Sequence, residues 1–318
     1  RKDWLVCSSS LTNRYWLLTY RGFCKIMSEM QNHSEYDKKG DALKAQRFQM
    51  LEDIAKELAG EVVFPTYFDA VLRLRNVLQD PNQSISGIAA AVALEPLVSA
   101  KILHLANSVA FNPRGNSVVD LKSAISRLGI NALRSSALAT VMTQLLRAKG
   151  MATFSDFTHS LWNHSITTAA AARVIAKTYT QLNADEAMLA GLIHDLGAFY
   201  MLYRATQYDE LRDRPDSVRY LIIQWHESIG VSLLDAIGIP EEIVNATVDH
   251  DHLRPAPTKI RTLTEVIYVA NMLAGGHFEW LMQDQPDSPY ELQELEATYA
   301  HLKPEIAALS TEMQSSFS

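Results

Sequence analysis

The sequence predicts an all-α protein built as two packed helical lobes, the second a helical bundle. Three observations carry that prediction. After residue 42, apolar residues recur at helical spacing almost without interruption. Most of these runs are bracketed by helix punctuation, with Ser, Asp or Pro before them and Gly after. Alternating apolar–polar runs are scarce, and "EVVF" at 61–64 is too short to make a strand.

In chain order, residues 1–41 read as an atypical N-terminal extension. Residues 4–26 are apolar and aromatic, but Arg14, Arg21 and Lys25 interrupt them and make a poor signal peptide. Met27 and Met30 are candidate natural starts. The polar "QNHSEYDKKGD" at 31–41 reads as a linker. The first lobe then spans 42–150. A helix over 42–59 stops at Gly60, and a second starts near Pro65 and runs through "TYFDAVLRLRNVLQD". Ser84 caps "ISGIAAAVAL". "EPLVSAKILHLANSVAF" follows, with Leu97, Ile102, Leu105 and Val109 expected on one packed side. Asp120 caps "LKSAISRLG", Gly129 stops it, and Asn131 is the expected cap of "ALRSSALATVMTQLLRA".

The second lobe spans 151–276. "FSDFTHSLWNHSITTAAAARVIAKTYT" is one long helix, "ADEAMLAGLIHDLGAFYMLYRAT" another and "SVRYLIIQWHESIGVSLLDAIG" a third. "PEEIVNATVDH" opens on Pro240 and Glu241, and "TLTEVIYVANMLAGG" ends on a glycine pair. Residues 277–318 form a C-terminal extension of two helices parted near Pro304, with a stripe of Leu292, Leu295, Tyr299 and Leu302 that packs onto the core.

The chain has 318 residues, 47% of them hydrophobic and 20% charged, so it can bury a sizeable core. The net charge of −7 and the lack of a Lys/Arg cluster speak against a nucleic-acid binder. No run approaches the roughly 18 apolar residues of a membrane span. Cys7 and Cys24 are the only cysteines, and nothing else points to an oxidising compartment. The expected location is the cytoplasm.

The residues that could carry chemistry gather in the second lobe. His164 lies in "LWNHS", His194 and Asp195 in "GLIHDLG", His226 in "QWHESIG", and His250, Asp251 and His252 in "VDHDH". Imidazole and carboxylate together suit a divalent ion such as Zn, Mn or Fe. Neighbouring residues on one helix point about 100° apart. His194 and Asp195 would therefore share an ion only if their helix crossed it obliquely. The alternative is a buried His–Asp set that satisfies itself through hydrogen bonds. His104, His159, His277 and His301 have no such company. Arg127, Arg134 and Arg147 suit either an anion or a solvated helix face. No G-x-S-x-G elbow and no phosphate loop is present.

These stretches resemble the HDOD family, the HD-related output domains of bacterial signalling proteins. The resemblance rests on "FPTYFDAVLRLRNVLQDPNQSISGIAAAVALEPLVSAKILHLANSVAF" and "AISRLGINALR" in the first lobe. In the second it rests on "LWNHSITTAAAARVIA", "LAGLIHDLGAFYML" and "HESIGVSLLDAIGIPEEIVNATVDHDH". It runs from about Phe64 to about Gly276. It implies a second lobe related to the HD metal phosphohydrolases, whose ligand set is matched by His164, His194, Asp195, His226 and His250. Two positions depart from that set. Asp251 stands where a His would follow His250, and Asn271 where a late Asp would fall. Glu265, the only acid on that helix, lies too far away to substitute.

The resemblance thus implies a partial site for a divalent metal (Fe, Mn, Zn or Mg). It also implies a non-catalytic signalling or regulatory module that binds a protein partner or a small ligand, with a nucleotide among the candidate ligands and a homodimer left open. The alternative is a metal-dependent phosphohydrolase or phosphodiesterase acting on a nucleotide or cyclic dinucleotide.

Overall fold

The computed structural model describes residues 40–59, 68–80, 82–275 and 290–317. Every regular element there is helical, and no strand occurs among the described residues. Backbone contacts divide the chain into residues 1–46 and 47–318, and the fold below concerns the second unit. The readings made for the N-terminal extension, Cys7, Cys24, Gly60, Pro65 and residues 276–289 lie outside the described residues.

Helix α1 (Gly40–Leu58) buries Met50, Leu51 and Ile54. α2 (Asp69–Leu78), α3 (Ile85–Ala93), α4 (Pro96–Asn107), α5 (Leu121–Leu128) and α6 (Ile130–Leu146) follow. Ser84 caps α3 by accepting from the Gly87 N–H, and Asp120 caps α5 by accepting from Ser123. Gly129, at φ +82°, ends α5 and opens α6. Asn131 is therefore inside α6 and caps nothing; its side chain contacts Arg134 and Glu186. The expected packed side of α4 also needs correction. Ile102 and Leu105 are buried, but Leu97 is 56% exposed, and Val109, beyond the helix end, is 71% exposed.

α7 (Ser155–Tyr179) is the central rod. It packs against α8 (Ala184–Ile193), α13 (Leu263–Leu273) and α15 (Lys303–Phe317). Its run Ala169–Ala172 is fully buried, and these small side chains admit three close neighbours. The single helix expected over 184–206 is broken. α8 ends at Ile193, His194 and Asp195 form a turn, and α9 (Leu196–Ala205) begins. The apolar character is continuous across the turn, so hydrophobic pattern alone does not reveal it. α10 (Asp209–Arg212) leads to α11 (Pro215–Ala236), which packs along α9. α12 (Glu241–Ala246) and α13 complete the bundle, and Thr262 and Glu265 form a capping box on α13. In the tail, α14 (Tyr290–Tyr299) packs on α13, and Leu292, Leu295, Tyr299 and Leu302 are all buried.

Two glycines set the spacing of this bundle. A Cβ at Gly191 would stand 2.8 Å from the Thr168 carbonyl oxygen and 2.9 Å from Ala169 Cα. A Cβ at Gly197 would strike the His226 carbonyl and stand 2.6 Å from the Gly230 nitrogen. In both cases the obstacle is backbone, which cannot swing away.

The C-terminal part of α9 is tied to α1. The buried Glu57 carboxylate accepts from Tyr200 Oη and Arg204 Nη1, and Tyr208 Oη donates to Asp53 Oδ2 at 2.6 Å. Burial pushes the Glu57 carboxyl up against the pull of Arg204.

Gly197→Ala is expected to cost at least the roughly 1–3 kcal/mol typical of overpacking. Gly87→Ala, whose new methyl meets only the flexible Gln83 side chain, should be neutral or add up to about 1 kcal/mol. Urea melts of the two variants check this, and equal costs would refute the close-approach argument.

Candidate metal centre

The turn between α8 and α9 solves the 100° problem posed by adjacent ligands. His194 immediately follows one helix and Asp195 immediately precedes the next, so neither is held to a common helical face. Gly191 lets α8 lie against α7, which brings His194 to His164. Gly197 lets α9 lie against α11, which brings Asp195 to His226. His250 and Asp251 arrive from the turn after α12, and Asn271 from α13.

Each imidazole is oriented by a backbone carbonyl at its Nδ1. His164 meets Ala274 O at 3.2 Å, His194 meets Gly191 O at 2.7 Å, His226 meets Ile222 O at 2.8 Å and His250 meets Thr247 O at 2.7 Å. A carbonyl can only accept, so Nδ1 carries the proton and Nε2 presents a lone pair inward. This is the support that metal-ligating histidines ordinarily have.

The inward atoms fall into two groups of three, His164/His194/Asp195 and Asp195/His226/His250, with the ligand atoms of each group within 4.8 Å of one another. Asp195 belongs to both. Its Oδ2 lies 3.2 Å from His194 Nε2 and 3.6 Å from His164 Nε2. Its Oδ1 lies 3.4 Å from His250 Nε2 and 3.6 Å from His226 Nε2. Asp251 adds to the second group, with Oδ2 3.3 Å from His226 Nε2 and Oδ1 3.7 Å from His250 Nε2.

The self-satisfied alternative fits poorly in the first group. The Nε2 atoms of His164 and His194 stand 3.1 Å apart, so when both rings are neutral and their Nδ1 protons are committed, two lone pairs face each other. A positive ion between them removes the conflict. The electrostatics run the same way in the second group. Burial disfavours charge on Asp195, but His194 and His250 outweigh it and hold this carboxyl well below the usual range. Asp251 is likewise held low by His250 and His226 against its own burial. Burial opposes protonation of His250 too, yet Asp251 and Asp195 lift it to about 10, and His226 is raised by the same carboxylates. His164, buried and beside His194, is lowered. Without metal, the carboxylates favour protons on His226 and His250. The residues present therefore fit divalent cations.

Asn271 is fully buried. Its Nδ2 donates to the His250 carbonyl at 3.0 Å and to Asp251 Oδ1 at 3.1 Å, while its Oδ1 has no partner among the described residues. Sequence alone marked this residue as a lost ligand and missed its bond to the other departing position. Thr168, one turn along α7 from His164, also has a partnerless buried hydroxyl. His252 does not join the centre; with Glu227 and Asp249 it forms an outer group and is 75% exposed. Glu265 is confined to its capping box and to the Arg261 N–H.

Fold and site together define an all-α protein with a buried His/Asp centre suited to two metal ions. The HDOD domain model matches residues 64–253, and the chain belongs to the HDOD family. A proposed metal-dependent phosphohydrolase of Shewanella amazonensis SB2B has the same fold, at 21% identity and a TM-score of 0.65, over 86% of this chain and 100% of that one. An HDOD domain protein of unknown function from Geobacter sulfurreducens also matches, at 21% identity and a TM-score of 0.51, over 85% of this chain and 99% of that one. An uncharacterised protein of Treponema pallidum (strain Nichols) is 25% identical over 212 residues, which is 64% of this chain and 40% of the relative's length. No helix among the described residues is long and apolar enough to cross a membrane.

The raised His250 sets the sign of a pH effect in metal-free protein. A group that binds its proton more tightly when folded adds stability that is complete below its unfolded value of 6.5 and is lost as the pH rises through about 10. His164, lowered, is neutral in both states above 6.5 and adds no slope there. Thermal melts in chelator should therefore fall in midpoint between about pH 6.5 and 10. His250→Gln should flatten that limb, and a flat wild-type profile would contradict the assignment.

Proposed function

We propose that this HDOD chain is a regulatory module that holds divalent metal in its HD-like half and works by binding a protein partner or small ligand, without turnover. The closure of the centre carries this reading. His164, His194, Asp195 and His250 are each 1% exposed and His226 is 4% exposed. Structural metal sites are closed in this way, whereas catalytic ones keep a coordination position open to substrate. One ion would be held by His164, His194 and Asp195 Oδ2, the other by His226, His250, Asp195 Oδ1 and Asp251. The Nδ1–carbonyl bonds keep the rings aimed, and the surrounding helices keep water out.

One observation favours a second reading, metal-dependent hydrolysis of a phosphoester. The two oxygens of Asp195 serve different histidine pairs, as a bridging carboxylate of a two-metal centre would. When bound, such a pair of ions supplies Lewis acidity toward a phosphoryl oxygen and a nearby water. The Asp251 side chain, 18% exposed, is the one point where this centre meets solvent.

The two readings separate in one experiment. Protein purified without chelator is assayed for Mn, Fe, Zn and Mg and for hydrolysis of bis-p-nitrophenyl phosphate. The expected result is bound metal that is lost in His194→Ala, with no turnover above background. Turnover that disappears in His194→Ala would establish the hydrolase and overturn the regulatory reading. Failure to take up metal after loading with excess Mn or Fe would overturn both.

A further inference from the structure

We infer that the two halves of the centre are unequal, and that the His226/His250/Asp251 half takes the first divalent ion while the His164/His194 half fills only at higher concentration. This rests on the metal-holding reading above.

The charge is distributed unevenly. Asp195 is shared, one oxygen to each half. Beyond that share, the first half has two imidazoles and, among the described residues, no carboxylate of its own. The second has two imidazoles and the whole of Asp251, whose oxygens lie 3.3 Å from His226 Nε2 and 3.7 Å from His250 Nε2. A hard divalent ion gains most where anionic oxygen is concentrated.

Asn271 enforces this difference. Two acceptors, the His250 carbonyl and Asp251 Oδ1, take hydrogen bonds from its Nδ2. A flipped amide would set oxygen against both, so its orientation is decided by the network. Asn271 thus acts as a positioning residue for Asp251 and fastens that carboxylate to the second half. The other arm of the amide is the partnerless Oδ1, a neutral oxygen. The helix that carries Asn271 also meets the first half through the bond between Ala274 O and His164 Nδ1.

Access favours the same order. The Asp251 side chain is 18% exposed, whereas the side chains of His164 and His194 are 1% and 0% exposed. An ion from solvent reaches the second half first.

The test is a titration of chelator-stripped protein with Mn²⁺, followed by calorimetry and by the electron paramagnetic resonance of free Mn²⁺. Wild type should bind one equivalent tightly and a second about 10–100-fold more weakly, the span that single supporting residues produce at metal sites. Asp251→Asn should abolish the tight step. His164→Ala should keep the tight step and lose the weak one. Asn271→Asp, which removes the hydrogen bond that holds Asp251, should weaken the tight step and narrow the gap. Far-UV circular dichroism checks that each variant is folded.

A readout on the unaltered protein removes dependence on the variants. Anomalous diffraction at the Mn edge, from crystals grown with one equivalent, should place the ion beside His226 and His250. An ion beside His164 and His194, two equal steps, or a tight step that survives Asp251→Asn and disappears in His164→Ala would overturn the order while leaving metal binding intact. No binding to any form would overturn the metal-holding reading as well.

Discussion

The centre depends on how closely four helices can approach at "GLIHDLG". The Thr168 carbonyl lies 2.8 Å from where a Cβ on residue 191 would be, and the Gly230 nitrogen 2.6 Å from where one on residue 197 would be. Only glycine fits either place without moving a backbone. Between them the chain must turn, and His194 and Asp195 are the turn. The same steric condition therefore fixes the helix spacing and puts a histidine and an aspartate at the meeting point of α7, α8, α9 and α11. Ordinary side chains at the two glycine positions would push those helices apart and separate His164 from His194 and Asp195 from His226.

Once assembled, the site cannot be neutral and comfortable at the same time. The backbone carbonyls take the Nδ1 protons, which in the neutral rings leaves bare Nε2 lone pairs around two largely buried carboxylates. Burying such groups is costly unless a positive charge joins them. Protons on His226 and His250 serve the second half, and no such proton relieves His164, whose burial drives it toward the neutral form. Folding, protonation and cation binding are consequently linked, since whatever cation occupies the centre binds the folded chain and not the unfolded one.

Much of this was legible in the sequence where the cause is local. Ser84, Asp120 and Gly129 lie at helix ends because capping is a matter of a few neighbouring residues. The histidines and acids of the second lobe could be named because they interrupt apolar helical runs. The features that escaped are those that depend on packing. Apolar residues continue on both sides of His194 and Asp195 in the 184–206 run, so its periodicity carries across the turn between Gly191 and Gly197. Leu97 and Val109 fit an apolar stripe, but the residues that would cover them are not supplied by this chain's described helices. Asn271 and Asp251 are twenty positions apart and looked like two separate losses, because nothing local says that one donates to the other.

α9 joins the two polar clusters of the interior. It is ten residues long, about 15 Å at the helical rise of 1.5 Å per residue. Asp195 stands at its start, among the four histidines. Tyr200 and Arg204, one turn apart and hence on one face, hold Glu57 of α1 toward its end. Removing Glu57 would leave the Arg204 guanidinium buried without its closest anion, a change that typically costs about 3–5 kcal/mol. α9 is thus pinned at one end by helix α1 and at the other by the ligands of the centre.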